Sequence, residues 1–229
     1  ISDEEVAAPS AILMEPNTGK ILYEKNANEL RPCASITKVM TLLLVMEAID
    51  SGKISLDDQV TASAHAASMG GSDIWLKEGE TMSVNDLIKA TVIMSANDAA
   101  VVLAEHVYGT EDEFVKQMNI RAKQLGMNDT TFKNCNGLDE DGHLTTAHDV
   151  ALMSAELIKH EKIFDYTLTW MDYVRDGETQ LVNTNKLIRS YKGITGLKTG
   201  TTSQAGSCIS ATAKRDNLSL VAVVLGCST

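Results

Sequence analysis

The segment Ile36 to Ile49, ITKVMTLLLVMEAI, is apolar on nearly every face of a helix. Such a helix has to be enclosed by protein rather than laid on a surface. That requirement calls for packed layers on more than one side of it. A chain of 229 residues can supply them as one large domain or as a domain with an inserted lobe. Asp50-Ser51-Gly52 ends the helix, with glycine available for the left-handed position past the last turn.

The enclosing elements are legible on both sides. Ala11 to Lys25 reads as two apolar runs flanking Pro16-Asn17-Thr18-Gly19, which predicts a β-hairpin. From about Met82 to about His160 the pattern turns helical. Ser83 and Asp86, and later Thr146 and Asp149, are spaced as capping pairs. The segments NDAAVVLAEHVYG and EDEFVKQMNIRAKQLG carry apolar residues at helical spacing and end at glycine. Strand character returns in LKTG, AGSCISATA and NLSLVAVVLG, with Lys214-Arg215-Asp216-Asn217 as the turn between the last two. Strands at both ends predict one antiparallel sheet completed by the termini, with helices packed on it and an α lobe inserted. Thr61 to Thr81, including Gly70-Gly71, is the long irregular stretch.

A formal net charge of -11 and the lack of a basic stripe argue against a nucleic-acid partner. Val39 to Met46 and Leu218 to Leu225 are far shorter than the roughly 20 residues that cross a bilayer. The acidic start, ISDEEVAAPS, has no signal-peptide pattern; it fits a cytoplasmic chain or a mature form whose leader has been removed. Cys33, Cys135, Cys208 and Cys227 show neither CxxC pairing nor metal-type spacing with histidine, so no metal is expected. They read as small buried residues.

Ser35 and Lys38 stand three apart where the buried helix begins, so both project on one face within one turn. A serine hydroxyl needs a neighbouring base, and lysine is a base only when burial or another cation lowers its pKa. A capping serine followed by a solvated lysine is the alternative. Two SxN tripeptides occur. Ser83-Val84-Asn85 has a capping job, whereas Ser95-Ala96-Asn97 falls between two apolar helices, in a short loop that reads as exposed. Ser95 with Asp98 also fits a capping pair. Lys198-Thr199-Gly200 lies on a strand candidate, where a cation, a hydroxyl and an open backbone suit a carboxylate-terminated peptide; a solvated strand end would read the same.

In the order SxxK, SxN, KTG the three motifs are similar to the set of penicillin-binding proteins and class A β-lactamases. RPCASITKVMTLLLVMEAID, IMSANDAAVVLAEHV, NGLDEDGHLTTAHDVALM and GLKTGTTSQAGSCISATA resemble low-molecular-mass D-alanyl-D-alanine carboxypeptidases, with a sporulation-associated flavour. The resemblance covers almost the whole chain. It implies an α/β (α+β) fold of the β-lactamase/transpeptidase type: a five-stranded antiparallel sheet flanked by helices, in one catalytic domain over residues 1–229. It implies Ser35 as acylated nucleophile, Lys38 as its base and Ser95 as a proton relay. Asn97 would hold the substrate amide, and Lys198, Thr199, Gly200 and Thr201 would bind the substrate. The amides of Ser35 and Thr201 would form the oxyanion hole, and no cofactor is needed.

The implied partners are peptidoglycan stem peptides ending in D-Ala-D-Ala, with β-lactams as inhibitors, in an exported protein acting at the outer face of the membrane or in the wall. The family's C-terminal helix, β-rich second domain and amphipathic anchor are expected to be missing from this stretch, and membrane attachment would depend on them. His143 and His148 fall in a GH-x-TTA-x-D segment where histidines are structural. A β-lactamase is the nearest rival, but there is no ExxLN and SAN replaces SDN. An endopeptidase is a closer cousin. A noncatalytic peptidoglycan-binding module would lose the serine or a lysine, and an esterase would not need the clamp at Lys198 and Thr199.

Overall fold

The computed structural model describes residues 1–228. The N-terminal hairpin pairs β1 (Ser10–Glu15) with β2 (Lys20–Lys25), and the Glu15 carboxylate accepts hydrogen bonds from the Asn17 and Thr18 amides across the turn. A 3-10 turn, Ala34–Thr37, then leads into α1 (Lys38–Asp50). The sequence pattern had placed residues 36 and 37 inside the α-helix; they belong to the tighter turn.

Short elements follow: β3 (Gln59–Thr61), α2 (Ala64–Ala67) and β4 (Thr81–Ser83). The helical section comprises α3 (Val84–Ile93), α4 (Asn97–Tyr108), α5 (Glu111–Gln124) and α6 (Ala147–Leu157). Ser83 Oγ accepts from the Asp86 amide at 3.1 Å and Thr146 Oγ1 from the Asp149 amide at 3.0 Å, so both predicted capping pairs form. Next come α7 (Phe164–Thr167), the hairpin β5 (Met171–Val174) with β6 (Thr179–Val182), and α8 (Leu187–Ser190). The chain closes with β7 (Ile194–Thr202), β8 (Gly206–Arg215) and β9 (Leu218–Cys227).

The main sheet has the order β2-β1-β9-β8-β7, antiparallel throughout, so strands from both ends of the chain share one ladder as expected. β7 forms its outer edge. The period-2 pattern buries Cys208, Ser210 and Thr212 of β8 and Val221, Val223 and Leu225 of β9. Helix α6 lies against β1, β8 and β9, and the buried Ser210 hydroxyl is met by Ser154 of α6 at 2.7 Å. Helix α1 is buried without interruption from Lys38 to Met46, among α4, α5, α6 and β7. Its all-round apolarity is thereby satisfied. Among the described residues no helix is long and apolar enough to cross a membrane. All four cysteines are free; Cys33, Cys135 and Cys208 are buried and Cys227 is half-buried. Burial pushes the Cys33 thiol up to about 12, away from the reactive thiolate form.

Candidate active site

Ala34 adopts a left-handed φ of 50°, and the 3-10 turn behind it sets Ser35 at the mouth of α1. One turn on, Lys38 is fully buried. Its Nζ reaches Ser35 Oγ at 2.9 Å, Asn97 Oδ1 at 2.6 Å and the carbonyl oxygen of Asn136 at 2.7 Å. Burial first, and then the nearby Lys198 ammonium, hold the Lys38 amine well below its usual pKa, against opposing contributions from Cys135, Asp73 and Asp98. A neutral amine has two N–H groups and one lone pair. Asn97 Oδ1 and the Asn136 carbonyl can only accept, so they take the two N–H groups; Ser35 is the one partner with a proton to give. The arrangement can therefore move a proton from Ser35 Oγ to Lys38 Nζ.

The second wall comes from the α3–α4 junction. Ser95 has a left-handed φ of 61° and is buried, not exposed as its loop position suggested. It does not cap α4, whose N-cap is Ala96 without a side-chain bond. Its Oγ instead accepts a hydrogen bond from Lys198 Nζ at 3.0 Å. Asn97 is fixed from behind: its Nδ2 donates to the Gly70 carbonyl at 2.7 Å and its amide to the Ser72 carbonyl at 2.7 Å. The irregular stretch between β3 and β4 thus supports the cleft. Asp98 turns away from it, its carboxylate accepting from the Ile74 and Leu76 amides.

The third wall is the edge strand β7. Lys198 is buried, and burial lowers its amine to about 7. Thr199 Oγ1 meets Thr184 Oγ1 at 2.6 Å. Gly200 lies against the nucleophile turn: a Cβ there would stand 2.7 Å from the Ser35 nitrogen and 3.1 Å from the Ile36 nitrogen. Thr201, next along, is exposed. Ser35, Lys38, Ser95, Asn97, Lys198, Thr199, Gly200 and Thr201 therefore belong to elements that meet around one cleft.

The structure adds residues that motif spacing did not reveal. The Cys135–Gly137 segment is threaded against α1, with the Cys135 carbonyl accepting from Thr41 Oγ1 at 2.6 Å and the Asn136 carbonyl accepting from Lys38. Gly137 makes this possible, since at its φ of 90° a Cβ would collide with the Ala34 carbonyl. The other SxN tripeptide has a structural role: Tyr166 donates to Asn85 Oδ1 at 2.7 Å. His143 is buried, its Nδ1 accepting from the Lys133 amide at 2.9 Å, so Nε2 carries the proton toward Thr37 Oγ1 at 2.7 Å. His148 lies 3.7 Å from Asp149 at the start of α6. Among the described residues no cluster of three or more His, Cys, Asp or Glu side chains is gathered as a metal site would need.

A family model described as D-alanyl-D-alanine carboxypeptidase matches residues 1–229. The D-alanyl-D-alanine carboxypeptidase DacF of Bacillus subtilis is 52% identical over 225 residues, 97% of this chain and 58% of the relative. DacC of Escherichia coli is 38% identical over 240 residues, covering 100% of this chain and 60% of the relative. The chain thus spans less than two thirds of the length of these relatives. Penicillin-binding protein D2 from Listeria monocytogenes, solved in an ampicillin-bound form, superposes with a TM-score of 0.90 at 36% identity, covering 100% of this chain and 93% of that one. Penicillin-binding protein 5 from Haemophilus influenzae gives 0.93 at 32% identity, covering 100% and 68%.

Proposed function

The chain belongs to the D-alanyl-D-alanine carboxypeptidase family, and from that premise we propose that it removes the terminal D-alanine of peptidoglycan stem peptides through an acyl-enzyme on Ser35. The observation that carries this reading is the buried Lys38 amine, with two carbonyl partners for its N–H groups and its lone pair left for the Ser35 hydroxyl. Lys38 takes the Ser35 proton as Oγ attacks the carbonyl carbon of the penultimate D-alanine. The amides of Ser35 and Thr201 receive the developing oxyanion, and the close approach at Gly200 brings the two segments together for that role. Ser95, hydrogen-bonded to Lys198, passes a proton to the departing amine. Water then hydrolyses the ester and returns the hydroxyl to Ser35.

Lys198 and the Thr199 hydroxyl hold the substrate carboxylate, while Asn97 Nδ2 and the edge of β7 take the peptide backbone. A β-lactam carries a comparable carboxylate and acyl carbon, so it acylates the same serine and leaves slowly. The substrate places the work outside the cytoplasmic membrane, in one catalytic domain formed by residues 1–229, and the sequence resemblance described above favours the sporulation-associated type. The test is intact mass after brief exposure to benzylpenicillin, with peptide mapping and a D-alanine release assay on an N-acylated tripeptide ending in D-Ala-D-Ala. A persistent adduct on the Ser35 peptide together with D-alanine release supports the reading. Rapid penicillin turnover without an adduct, or D-alanine release by Ser35→Ala, overturns it.

A further inference from the structure

Trp75 is placed where burial would not put a side chain of its size: it is 71% exposed, with a left-handed φ of 55°. A bulky residue avoids that backbone region unless its surroundings over-determine it. Here they do. The amide before the indole, Ile74 N, donates to Asp98 Oδ1 at 3.2 Å, and the amide after it, Leu76 N, donates to Asp98 Oδ2 at 2.9 Å. Asp98 is itself buried beside Asn97, and the Ile74 and Leu76 side chains are buried too. The indole is therefore held outward by an anchored backbone on both sides.

Trp75 lines an open groove of ≈ 650 Å³ together with Ile74, Lys77 and Glu78, with Arg175 and Glu178 of the β5–β6 turn opposite. The two walls are tied by Arg175, whose guanidinium meets the Glu80 carboxylate at 2.5 and 3.2 Å. Each wall leads back to the cleft. The Trp75 loop supplies the Gly70 and Ser72 carbonyls that hold Asn97. The β5–β6 hairpin runs into Thr184, which meets Thr199.

The chemistry of the groove selects an occupant. An open indole face on an anchored backbone offers an apolar platform, and the exposed Lys77, Glu78 and Glu178 around it offer hydrogen-bonding groups at its rim. That combination suits a ring that is apolar on its face and polar at its edge. Three carboxylates, those of Glu78, Glu80 and Glu178, against two cations in a chain of net charge -11 disfavour an acidic peptide segment and favour a neutral ligand. We propose that Trp75 is the stacking platform of a saccharide subsite that takes an N-acetylated hexosamine of the glycan strand to which the stem peptide is attached. The identity of that polymer rests on the carboxypeptidase reading; the platform itself rests on the groove.

The chain has two tryptophans, and Trp170, with Arg189 5.0 Å from its ring centre, serves as an internal control. The ¹⁵N-labelled protein is titrated with a peptide-free, neutral β-1,4-linked tetramer of N-acetylglucosamine, with the indole resonances assigned by Trp75→Phe. A saturable shift of the Trp75 indole N–H with Trp170 unmoved is expected. No shift, or an equal shift of both, overturns the proposal, as does a shift driven by a free acidic stem peptide and not by the saccharide. Kinetics provide the second readout. Trp75→Ala should raise KM for a disaccharide-linked pentapeptide by roughly fivefold more than for the free pentapeptide, and equal effects on both would count against the subsite. Failure of the wild-type chain to release D-alanine from either substrate would sink the carboxypeptidase reading, while the indole titration still decides on the saccharide.

Discussion

The main-chain carbonyl of Asn136 accepts a hydrogen bond from Lys38 Nζ at 2.7 Å across a separation of 98 positions. With Asn97 Oδ1 it uses both N–H groups of a neutral amine and directs the lone pair at Ser35. A guanidinium stays charged and cannot take that proton. Lys38→Arg and Lys38→Met should both slow benzylpenicillin acylation by roughly 10²–10⁴-fold, the usual weight of a general base. Stopped-flow acylation rates check this, and a Lys38→Arg variant within tenfold of wild type would place the base elsewhere.

The pH dependence should be bell-shaped. The proposed carboxylate clamp needs Lys198 charged, and burial lowers that amine to about 7, so kcat/KM should fall as pH rises through about 7. On the acid side it should fall as Lys38, also lowered by burial, takes up a proton. Lys198→Arg keeps its charge, so the basic limb should move up by about two pH units or more even as the maximum drops. An unmoved basic limb would remove Lys198 from the clamp.

Close backbone contact at the nucleophile predicts a dissociation of stability from activity. Gly200→Ala introduces a Cβ 2.7 Å from the Ser35 nitrogen, which should cost about 1–3 kcal/mol by overpacking and slow acylation by roughly 100-fold through displacement of Ser35. Gly19→Ala is the control: its φ is positive, at 72°, so the added carbon strains the backbone, but nothing lies within 4 Å of it. It should cost roughly 1 kcal/mol with acylation intact. Urea melts and acylation rates on both variants separate the two effects.

His143 ties stability to pH. Burial lowers its imidazole to about 4 from 6.5, so between those values the unfolded chain binds a proton that the folded chain does not. Stability should therefore fall as pH drops from about 6.5 toward 4, by roughly 3 kcal/mol from this residue. His143→Gln should flatten that slope in urea midpoints recorded across the window, while lowering stability at neutral pH through loss of the bonds to Thr37 and Lys133.

What could be read in advance follows from how local each signal is. The Ser35–Lys38 spacing spans one turn, and the caps at Ser83 and Thr146 act within three residues, so sequence order alone exposes them. The strands of the main sheet show through their alternation. The strands of the β5–β6 hairpin and of the β3–β4 pair have four and three residues each, too few to establish an alternation that separates them from loop. Ser95 and Asp98 have capping spacing, but tertiary contacts overrule it: Lys198 claims the hydroxyl, and two amides of the Trp75 loop claim the carboxylate. The Asn136 carbonyl was invisible because every residue has a carbonyl. Its trace in the sequence is Gly137, the only residue type that fits against Ala34.

Strand β9 lies between β1 and β8, so the β1–β2 and β7–β8 hairpins share a ladder only through the strand that comes last of the five in chain order. Without it these hairpins share no ladder, and β7 keeps only its packing on the nucleophile turn, α1, α7 and α8. Such non-local pairing also makes the final assembly slow compared with helix formation. The β7 wall of the cleft is thereby joined to the N-terminal hairpin through pairing between segments far apart in the chain.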